Sequence, residues 1–574
     1  MKPRFISPTQ AKNPREAAYL AALAADREQA FISDALSEWA DAKEPSASEM
    51  GLATLIANVA CREANSLDYA IGVLAKGGGD GAKEEKGKKR EKSVRLKGRQ
   101  RVVLRTALAQ YKYCTRTPLY AIVDHAVEFA KQYGGGPSFG AFTNALLRKL
   151  PPDPTTDRND GARQHQQQRE QQYLVFSAEE GDGSDTRPLP LPKGHSEEAL
   201  AVRLSYPPFL VHLFIEEFGK AKAKLIMEAG NTFPPTMLRS RAADAAAPVL
   251  PLAGSDTREE EHESASAAAP VAGPAPMSGA SKSLKLPWTT VNNLPPALHT
   301  PLPLPYTLGV VRSEKLFRQL TQDEGWYVTN GTPAGLLARL AQGAVARVFG
   351  SDDAGKGTRE GGLRVLDLCA APGGKGLAVW DVIREGQGHH TLALVMNDVN
   401  EEKTGRIREN LSKFGLEDKI HLTIGDGLTL TREELGRQMG SNIEGEGGKE
   451  EGGFDVVILD APCSNAGVLG RRPEARWRLR DEALLRELEE TQFSLLKHAS
   501  EELLSGTSPR GEIWYMTCSI LKGEDEGMVE RACRELGLEV VVEGGKDLMM
   551  KVLPGEGQGG AFDGGFGCAL RRRS

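Results

Sequence analysis

Val365-Leu366-Asp367-Leu368-Cys369-Ala370-Ala371-Pro372-Gly373-Gly374-Lys375 decides how the chain is read. An apolar run breaks at Pro-Gly-Gly and passes into a stretch carrying Leu377, Val379, Trp380 and Ile383. A continuous apolar run marks a strand covered on both faces, and apolar residues three and four apart mark a helix. The stretch therefore predicts a strand, a tight loop and a helix. In an open α/β sheet, ligands lie beyond the carboxyl ends of the strands, which places a cofactor at this loop. Glycines there let backbone amides approach a ligand with no Cβ in the way. An ordinary βα connection reads the same way in isolation, so the decision falls to residues downstream.

Around this stretch, strands and helices alternate from about residue 285 onward. The expected strands are Leu363–Leu368, Leu392–Met396, Ile420–Ile424, Val456–Leu459, Ile513–Met516, Leu538–Val542 and Phe566–Leu570. Helical stretches between them predict a doubly wound, mostly parallel sheet, a Rossmann-like domain over 285–574. Glu433–Gly453 is rich in Gly and Glu and reads as a surface loop. Gly350 to Thr358 nearly spells a phosphate loop, but Gly357 stands where Ser or Thr is required and no strand precedes it.

Upstream, 574 residues exceed what one core supports, so several domains are expected. Residues 1–150 read as an all-α bundle. Asn13-Pro14 supplies a cap and a first helical position, and Leu52, Leu55, Ile56 and Val59 recur at helical spacing. A charged insert over 77–98 interrupts the bundle and reads as a solvated loop. Residues 151–200, with Pro151-Pro152 and a Gln-rich tract, are expected to be a linker. A helical connector follows over 201–284, with Leu210, Leu213, Phe214 and Phe218 on one face and an Ala-, Ser- and Pro-rich insert over 242–282 expected to be disordered.

The 72 basic and 78 acidic residues give a net charge of −6, so any basic surface must be local. Seven cysteines without a CxxC pair argue against a disulfide framework or a zinc site and for a reducing compartment. No metal-ligand cluster is visible, and no metal is expected. No run of 18 apolar residues is present, so no membrane span is expected. Met1-Lys2-Pro3-Arg4-Phe5 lacks the apolar core of a secretory signal.

Four acids follow the strands in order: Asp367, Asp398, Asp426 and Asp460. A carboxylate after the second strand suits a ribose diol, and one after the third suits an adenine amino group. One such acid is an ordinary loop carboxylate or cap; four along one sheet favour a nucleoside cofactor. Two cysteines then narrow the chemistry: Cys463 in Asp460-Ala-Pro-Cys-Ser464 and Cys518 in Thr517-Cys-Ser519, at the ends of the fourth and fifth strands. Free cysteine is commonly a small buried hydrophobe, but two thiols at the edge of one cofactor site need another reason. A thiolate adding to carbon 6 of a pyrimidine makes the ring an enamine whose carbon 5 accepts a methyl group. An acid near N3, here Asp460, would stabilise the adduct, and a second thiol would aid its release.

These segments resemble the RNA cytosine-5 methyltransferase family. Asn13-Pro-Arg-Glu16, Ser66-Leu-Asp-Tyr69, Asn144-Ala-Leu-Leu-Arg148, Thr236-Met-Leu-Arg239 and Asp563-Gly-Gly-Phe566 extend the resemblance to the bacterial small-subunit rRNA branch. That branch carries an N-terminal NusB-like helical RNA-binding domain. The resemblance implies S-adenosyl-L-methionine as cofactor, held by Cys369, Ala370, Ala371, Pro372, Gly373, Gly374 and Lys375, with Asp398 at the ribose, Asp426 at the adenine end and Asp460 between cofactor and base. It implies Cys518 as nucleophile, Cys463 as release helper, and RNA, rRNA above all, as partner of a monomer. Glu526 matches an acidic family position, and Gly470 to Trp477 resembles a basic segment suited to backbone phosphates.

Departures from the family pattern are Val328-Thr329-Asn330 before the first strand, Lys522-Gly523 after the nucleophile motif, and the long polar inserts. They point to a eukaryotic, organellar setting (plastid or mitochondrion), with the cytoplasm as the alternative. Two rival readings stand beside this one: a DNA cytosine methyltransferase using Cys463, and a catalytically silent RNA-binding ribosome assembly factor.

Overall fold

The computed structural model describes residues 8–27, 30–76, 95–151, 187, 189–194, 196–232, 237–240, 289–290, 309–310, 326–329, 331–349, 362–386, 392–439, 453–505, 511–555 and 563–573. Most of the 77–98 insert, the Gln-rich tract, the 242–282 insert and the phosphate-loop look-alike lie outside these residues.

The N-terminal domain is the expected helical bundle, built from Pro14–Asp26, Ile32–Lys43, Ala47–Arg62, Ala64–Lys76, Gly98–Tyr113, Leu119–Phe129 and Pro137–Leu147. Asn13 caps the first helix as its sequence predicts, its Oδ1 accepting from the amides of Arg15 and Glu16 at 3.0 Å each. One core joins the helices through Tyr19, Leu20, Ile56, Leu67, Leu104, Leu108 and Ile122. Removing a fully buried Leu, Ile or Val from such a core removes about 1.5–3 kcal/mol of burial free energy.

The linker is shorter than its composition suggests. Leu189 belongs to the bundle core, and Arg187 is buried, its Nη2 donating to the carbonyl of Thr115 at 2.7 Å. The connector's first helix already runs over Glu197–Arg203, capped by Ser196, ahead of the 201 boundary. Helices Pro208–Phe218 and Lys220–Ala229 follow. The boundary at 285 also moves. Strands β1 (Met237–Ser240), β2 (Thr289–Thr290), β3 (Gly309–Val310) and β4 (Trp326–Thr329) form one antiparallel sheet in the order β2-β3-β1-β4. A cut at 285 would split that sheet.

The C-terminal domain is organised on β5 (Leu363–Asp367), β6 (Leu392–Asp398), β7 (Ile420–Ile424), β8 (Val456–Asp460), β9 (Glu512–Thr517), β10 (Leu538–Val540), β11 (Val542–Glu543), β12 (Lys546–Asp547), β13 (Met549–Val552) and β14 (Gly565–Arg572). The main sheet runs β10-β14-β9-β8-β5-β6-β7, with β13 also on β14. Strands β5 to β9 are mutually parallel, and β14 is antiparallel to β9. The chain leaves β5 toward β6 and β7, then returns to β8 on the other side. The carboxyl ends of β5 and β8 therefore border the topological switch point. Alternate residues face opposite sides. Val365, Leu394, Met396, Ile458 and Trp514 enter one core, while Leu366, Val395, Val457, Leu459 and Tyr515 enter the other.

Two local expectations are corrected. The Glu433–Gly453 loop begins as a helix, Arg432–Met439, closed by a reciprocal cap. The Glu434 amide donates to Thr431 Oγ1 (3.1 Å), and Glu434 Oε2 accepts from the Thr431 amide (2.9 Å). The buried Leu435 anchors it. The single strand expected over Leu538–Val542 is broken into β10 and β11. Beyond it, Gly544 and Gly545 take positive φ (59° and 76°) and turn β11 into β12. No helix among the described residues is long and apolar enough to cross a membrane.

Candidate active site

The loop after β5 is bound to its neighbours through the backbone. The Leu368 amide donates to Ile458 O (3.0 Å), and the Ala370 amide donates to Asn397 O (2.8 Å). Gly373 takes φ 97°, a region that favours glycine, and donates to Ala370 O at 2.7 Å. Asp398 spans this loop and the next, its Oδ2 accepting from Ala371 N and its Oδ1 from Asn400 N, both at 3.0 Å. Asp426 is exposed at the rim with Oδ1 on the Leu428 amide (3.0 Å). Cys369 through Lys375, Asp398, Asp426 and Asp460 thus line the carboxyl edge of β5 to β8.

Sequence reasoning missed Asn397, which is fully buried and pins three strand ends. Its Nδ2 donates to Leu368 O (3.0 Å) and Gly425 O (2.9 Å), and its Oδ1 accepts from Thr423 Oγ1 (3.1 Å). It also missed the apolar rim of Val399 (66% exposed), Leu428 and Ile424 beside the two rim acids. Large apolar side chains left open at a polar strand edge were the available signal.

Asp367 is fully buried, and neither of its carboxyl oxygens has a well-formed hydrogen bond. Burial lifts its pKa to about 7, against the pull of Lys375. Lys375 Nζ is ion-paired and hydrogen-bonded to Asp460 Oδ2. Burial pushes the Cys369 thiol up to about 12, with the surrounding carboxylates adding to the effect. This cysteine therefore lines the site as a neutral thiol.

Strands β8 and β9 are neighbours with Asp460 opposite Met516, and the Ala461 amide donates to Met516 O at 2.9 Å. Cys463 and Cys518 consequently leave the same edge of the sheet, and both are half-buried. Burial raises the Cys518 pKa to about 11. Asp460 adds to that, while Lys375 and Arg472 pull it down. Cys463 is raised well above the usual thiol range, by burial first and then by Glu524 and Cys518. Of the two thiols, only Cys518 has two cations favouring its anion among these principal influences.

The loop after Cys463 is held against Cys518 from behind. Asn465 takes φ 60°, and its Nδ2 donates to Cys463 O at 3.0 Å. The Gly467 amide donates to Cys518 O (2.9 Å), and the Gly564 amide donates to Gly467 O (2.7 Å). A Cβ on Gly467 would lie 2.8 Å from Cys518 O and 2.8 Å from the Gly564 carbonyl carbon, both backbone atoms. Gly467→Ala is therefore expected to destabilise the fold by about 1–3 kcal/mol and to shift the Cys518 loop. Urea unfolding should show the loss, and an unchanged midpoint would refute the close-approach argument.

One sequence expectation changes here. Glu526, which matches the acidic family position, pairs with Lys551 at 2.7 Å, and the acid that bonds the residues following both cysteines is Glu524, fully buried and unremarked in the sequence. The basic segment after Cys463 is an interdomain joint more than a phosphate track. Arg476 is fully buried with its guanidinium 4.0 Å over the Tyr206 ring. It donates to the carbonyls of Arg62, Ser205, Gly230 and Leu469 and to Asn231 Oδ1. Trp477 Nε1 donates to Cys61 O and Arg62 Nη2 to Gly470 O, both at 2.7 Å, while Arg472 and Arg478 flank the Phe31 ring.

A helical bundle locked onto an α/β domain of this strand order, with an acid-lined switch point and two thiols at its edge, defines the class: a Rossmann-like domain joined to an all-helical domain. Residues 358–555 match the family model of 16S rRNA methyltransferase RsmB/F, and residues 12–151 match the NusB family. The two matches fall on the C-terminal α/β domain and on the N-terminal helical bundle respectively. The chain is 34% identical over 170 residues to ribosomal RNA small subunit methyltransferase B of Klebsiella pneumoniae (strain 342), covering 30% of this chain and 33% of that protein. It is 31% identical over 204 residues to the protein of that description from Escherichia coli O17:K52:H18 (strain UMN026 / ExPEC), covering 35% and 37%. The matches span about a third of the length of these curated relatives. The solved structure described as PH0851 shares the fold, with a TM-score of 0.58 at 16% identity over 98% of this chain and 99% of that one.

Proposed function

We propose that this chain methylates carbon 5 of cytosine in RNA, with small-subunit rRNA as the substrate class, through a covalent bond to Cys518. The observation that carries this reading is the pair of half-buried thiols, Cys463 and Cys518, at the ends of adjacent strands beside the Lys375–Asp460 ion pair.

The residues at the switch point fit S-adenosyl-L-methionine. Asp398 and Asp426 supply acceptors for hydroxyl and amino donors, Val399 and Leu428 supply apolar surface beside them, and Gly373 leaves the loop backbone open. When bound, the cofactor supplies the electrophilic methyl group. The chain's own residues do the rest. Cys518, as thiolate, forms a bond from sulfur to carbon 6 of the cytosine, and the ring's displaced π electrons make carbon 5 nucleophilic. Asp460, held by Lys375, serves the ring's N3 edge. Lys375 favours the Cys518 anion at the same time. After alkylation the carbon 5 proton leaves, the bond from sulfur to carbon 6 breaks, and Cys463 assists that release. The target must be a loop or flipped base, since a stacked cytosine cannot reach the thiol.

Unmodified small-subunit rRNA with methyl-labelled S-adenosyl-L-methionine should yield labelled 5-methylcytidine on nucleoside analysis. Tight RNA binding with no label would sink the reading and favour an assembly factor. A second expectation comes from the Cys518 thiol at about 11. Below that value the reactive anion is the minor form, and its fraction rises with pH. Single-turnover rates should therefore climb between pH 6 and 9, by up to about tenfold per unit. A flat profile would show that proton removal from Cys518 does not limit the step.

A further inference from the structure

Glu524 is fully buried, and among the described residues no cation lies within ion-pair distance of it. Its Oε1 accepts from the Ser464 amide at 2.8 Å and from Gln492 Nε2 at 3.0 Å. Its Oε2 accepts from the hydroxyls of both Ser464 and Ser519, whose oxygens lie 3.2 Å apart. Ser464 directly follows Cys463, and Ser519 directly follows Cys518. The same Gln492 Nε2 donates to Pro462 O (3.0 Å), the residue before Cys463. The Tyr515 hydroxyl donates its one hydrogen between Glu524 O (2.6 Å) and Gln492 Oε1 (3.1 Å), the nearer being Glu524 O, which orients the whole group from β9.

We infer that Glu524 is a positioning residue that sets the two thiols relative to each other, one carboxyl group clamping the turn behind Cys463 to the turn behind Cys518. The inference rests on the two-thiol reading proposed above. The physical argument is donor counting. Four donors converge on two oxygens, and three of them come from the residues immediately behind the cysteines. Only an acceptor-only side chain with two oxygens satisfies that set. A buried carboxylate without a cation is costly to keep, so a chain that needed only packing here would be served as well by an apolar residue. An apolar residue would leave the Ser464 amide and one of the two serine hydroxyl hydrogens without an acceptor, and only the 3.2 Å contact between the serine oxygens would still link the turns. The clamp acts through Ser464 and Ser519 and touches no substrate.

The linkage makes separable predictions for the two arms. Ser519→Ala frees the turn behind the attacking thiol and is expected to slow adduct formation. Ser464→Ala frees the turn behind the helper and is expected to slow release, so the covalent protein–RNA band should persist although Cys463 is intact. Glu524→Gln, nearly isosteric, puts an NH₂ group against donors and should slow both steps, each by on the order of 10²-fold. RNA affinity and KM should hold. In the Ser464→Ala/Ser519→Ala background, Glu524→Gln should add little further loss.

The test is single-turnover methylation of unmodified small-subunit rRNA by the full chain, with the covalent band followed on denaturing gels over time. The split between a formation defect in Ser519→Ala and a release defect in Ser464→Ala supports the clamp. If both serine variants lose both steps equally and in proportion to a lowered Tm, the role is structural only and the inference is overturned. If Glu524→Gln turns over like wild type, the inference alone is overturned. A wild-type chain that forms neither adduct nor product overturns the methyl-transfer reading, and this inference with it.

Discussion

Cys518→Ala is expected to lose RNA methylation by about 10⁴-fold or more and to form no covalent protein–RNA band, because a removed nucleophile leaves only binding and orientation. Cys463→Ala is expected to do the opposite on a denaturing gel: it attacks, transfers and then holds the RNA as a persistent slow-migrating band. The assignment is what the family resemblance implies, and the electrostatics of the two thiols agree with it. Burial raises both; Lys375 and Arg472 pull Cys518 back down, whereas Glu524 and the neighbouring thiol raise Cys463 further. The measurement discriminates sharply. If Cys463→Ala is silent and bandless while Cys518→Ala still methylates, the roles are exchanged and the DNA-type reading gains.

The second large effect concerns Arg476. Arg476→Ala removes a buried guanidinium that serves four carbonyls and one amide oxygen and stacks on Tyr206. Those acceptors cannot all recover partners in a closed joint, and the deleted side chain leaves a cavity beside the ring. The expected loss is about 3–5 kcal/mol, read in urea unfolding followed by tryptophan fluorescence, with Trp477 reporting directly on the joint. Arg476→Lys should recover little of it, since a single ammonium cannot reproduce a planar fork. A shift below about 0.5 kcal/mol would show that the joint does not depend on this residue. The same segment continues back through Gly470 and Gly467 to Cys463, so damage at the joint should also reach the catalytic edge.

The strand pattern was legible because a parallel strand covered on both faces must be apolar throughout. Val365-Leu366, Leu394-Val395-Met396 and Val456-Val457-Ile458-Leu459 state this without help from the rest of the chain. The candidate site was legible to the same degree, since polar residues come directly after those runs and parallel strands deliver such residues to one edge of the sheet. The Arg432–Met439 helix was hidden by the Gly- and Glu-rich residues after it, which outweighed the Thr431–Glu434 cap. The sheet built from β1 and β4 was hidden by distance, its strands lying about ninety residues apart and short.

Local sequence was enough for the helical bundle and for the order of acids and cysteines along the sheet. Each is a pattern fixed by periodicity or by residues within a few positions of one another. The folded chain was needed to show what the arginines after Cys463 do, and which of three consecutive acids, Glu524, Asp525 and Glu526, matters to the thiols. Glu524 turns inward to Ser464 and Ser519, Asp525 takes the Thr517 hydroxyl and Lys551, and the half-buried Glu526 stays with Lys551. A charged side chain reads identically in sequence whether it meets solvent or a ring of buried donors. Its meaning is set by the partners that folding brings to it from sixty or four hundred residues away.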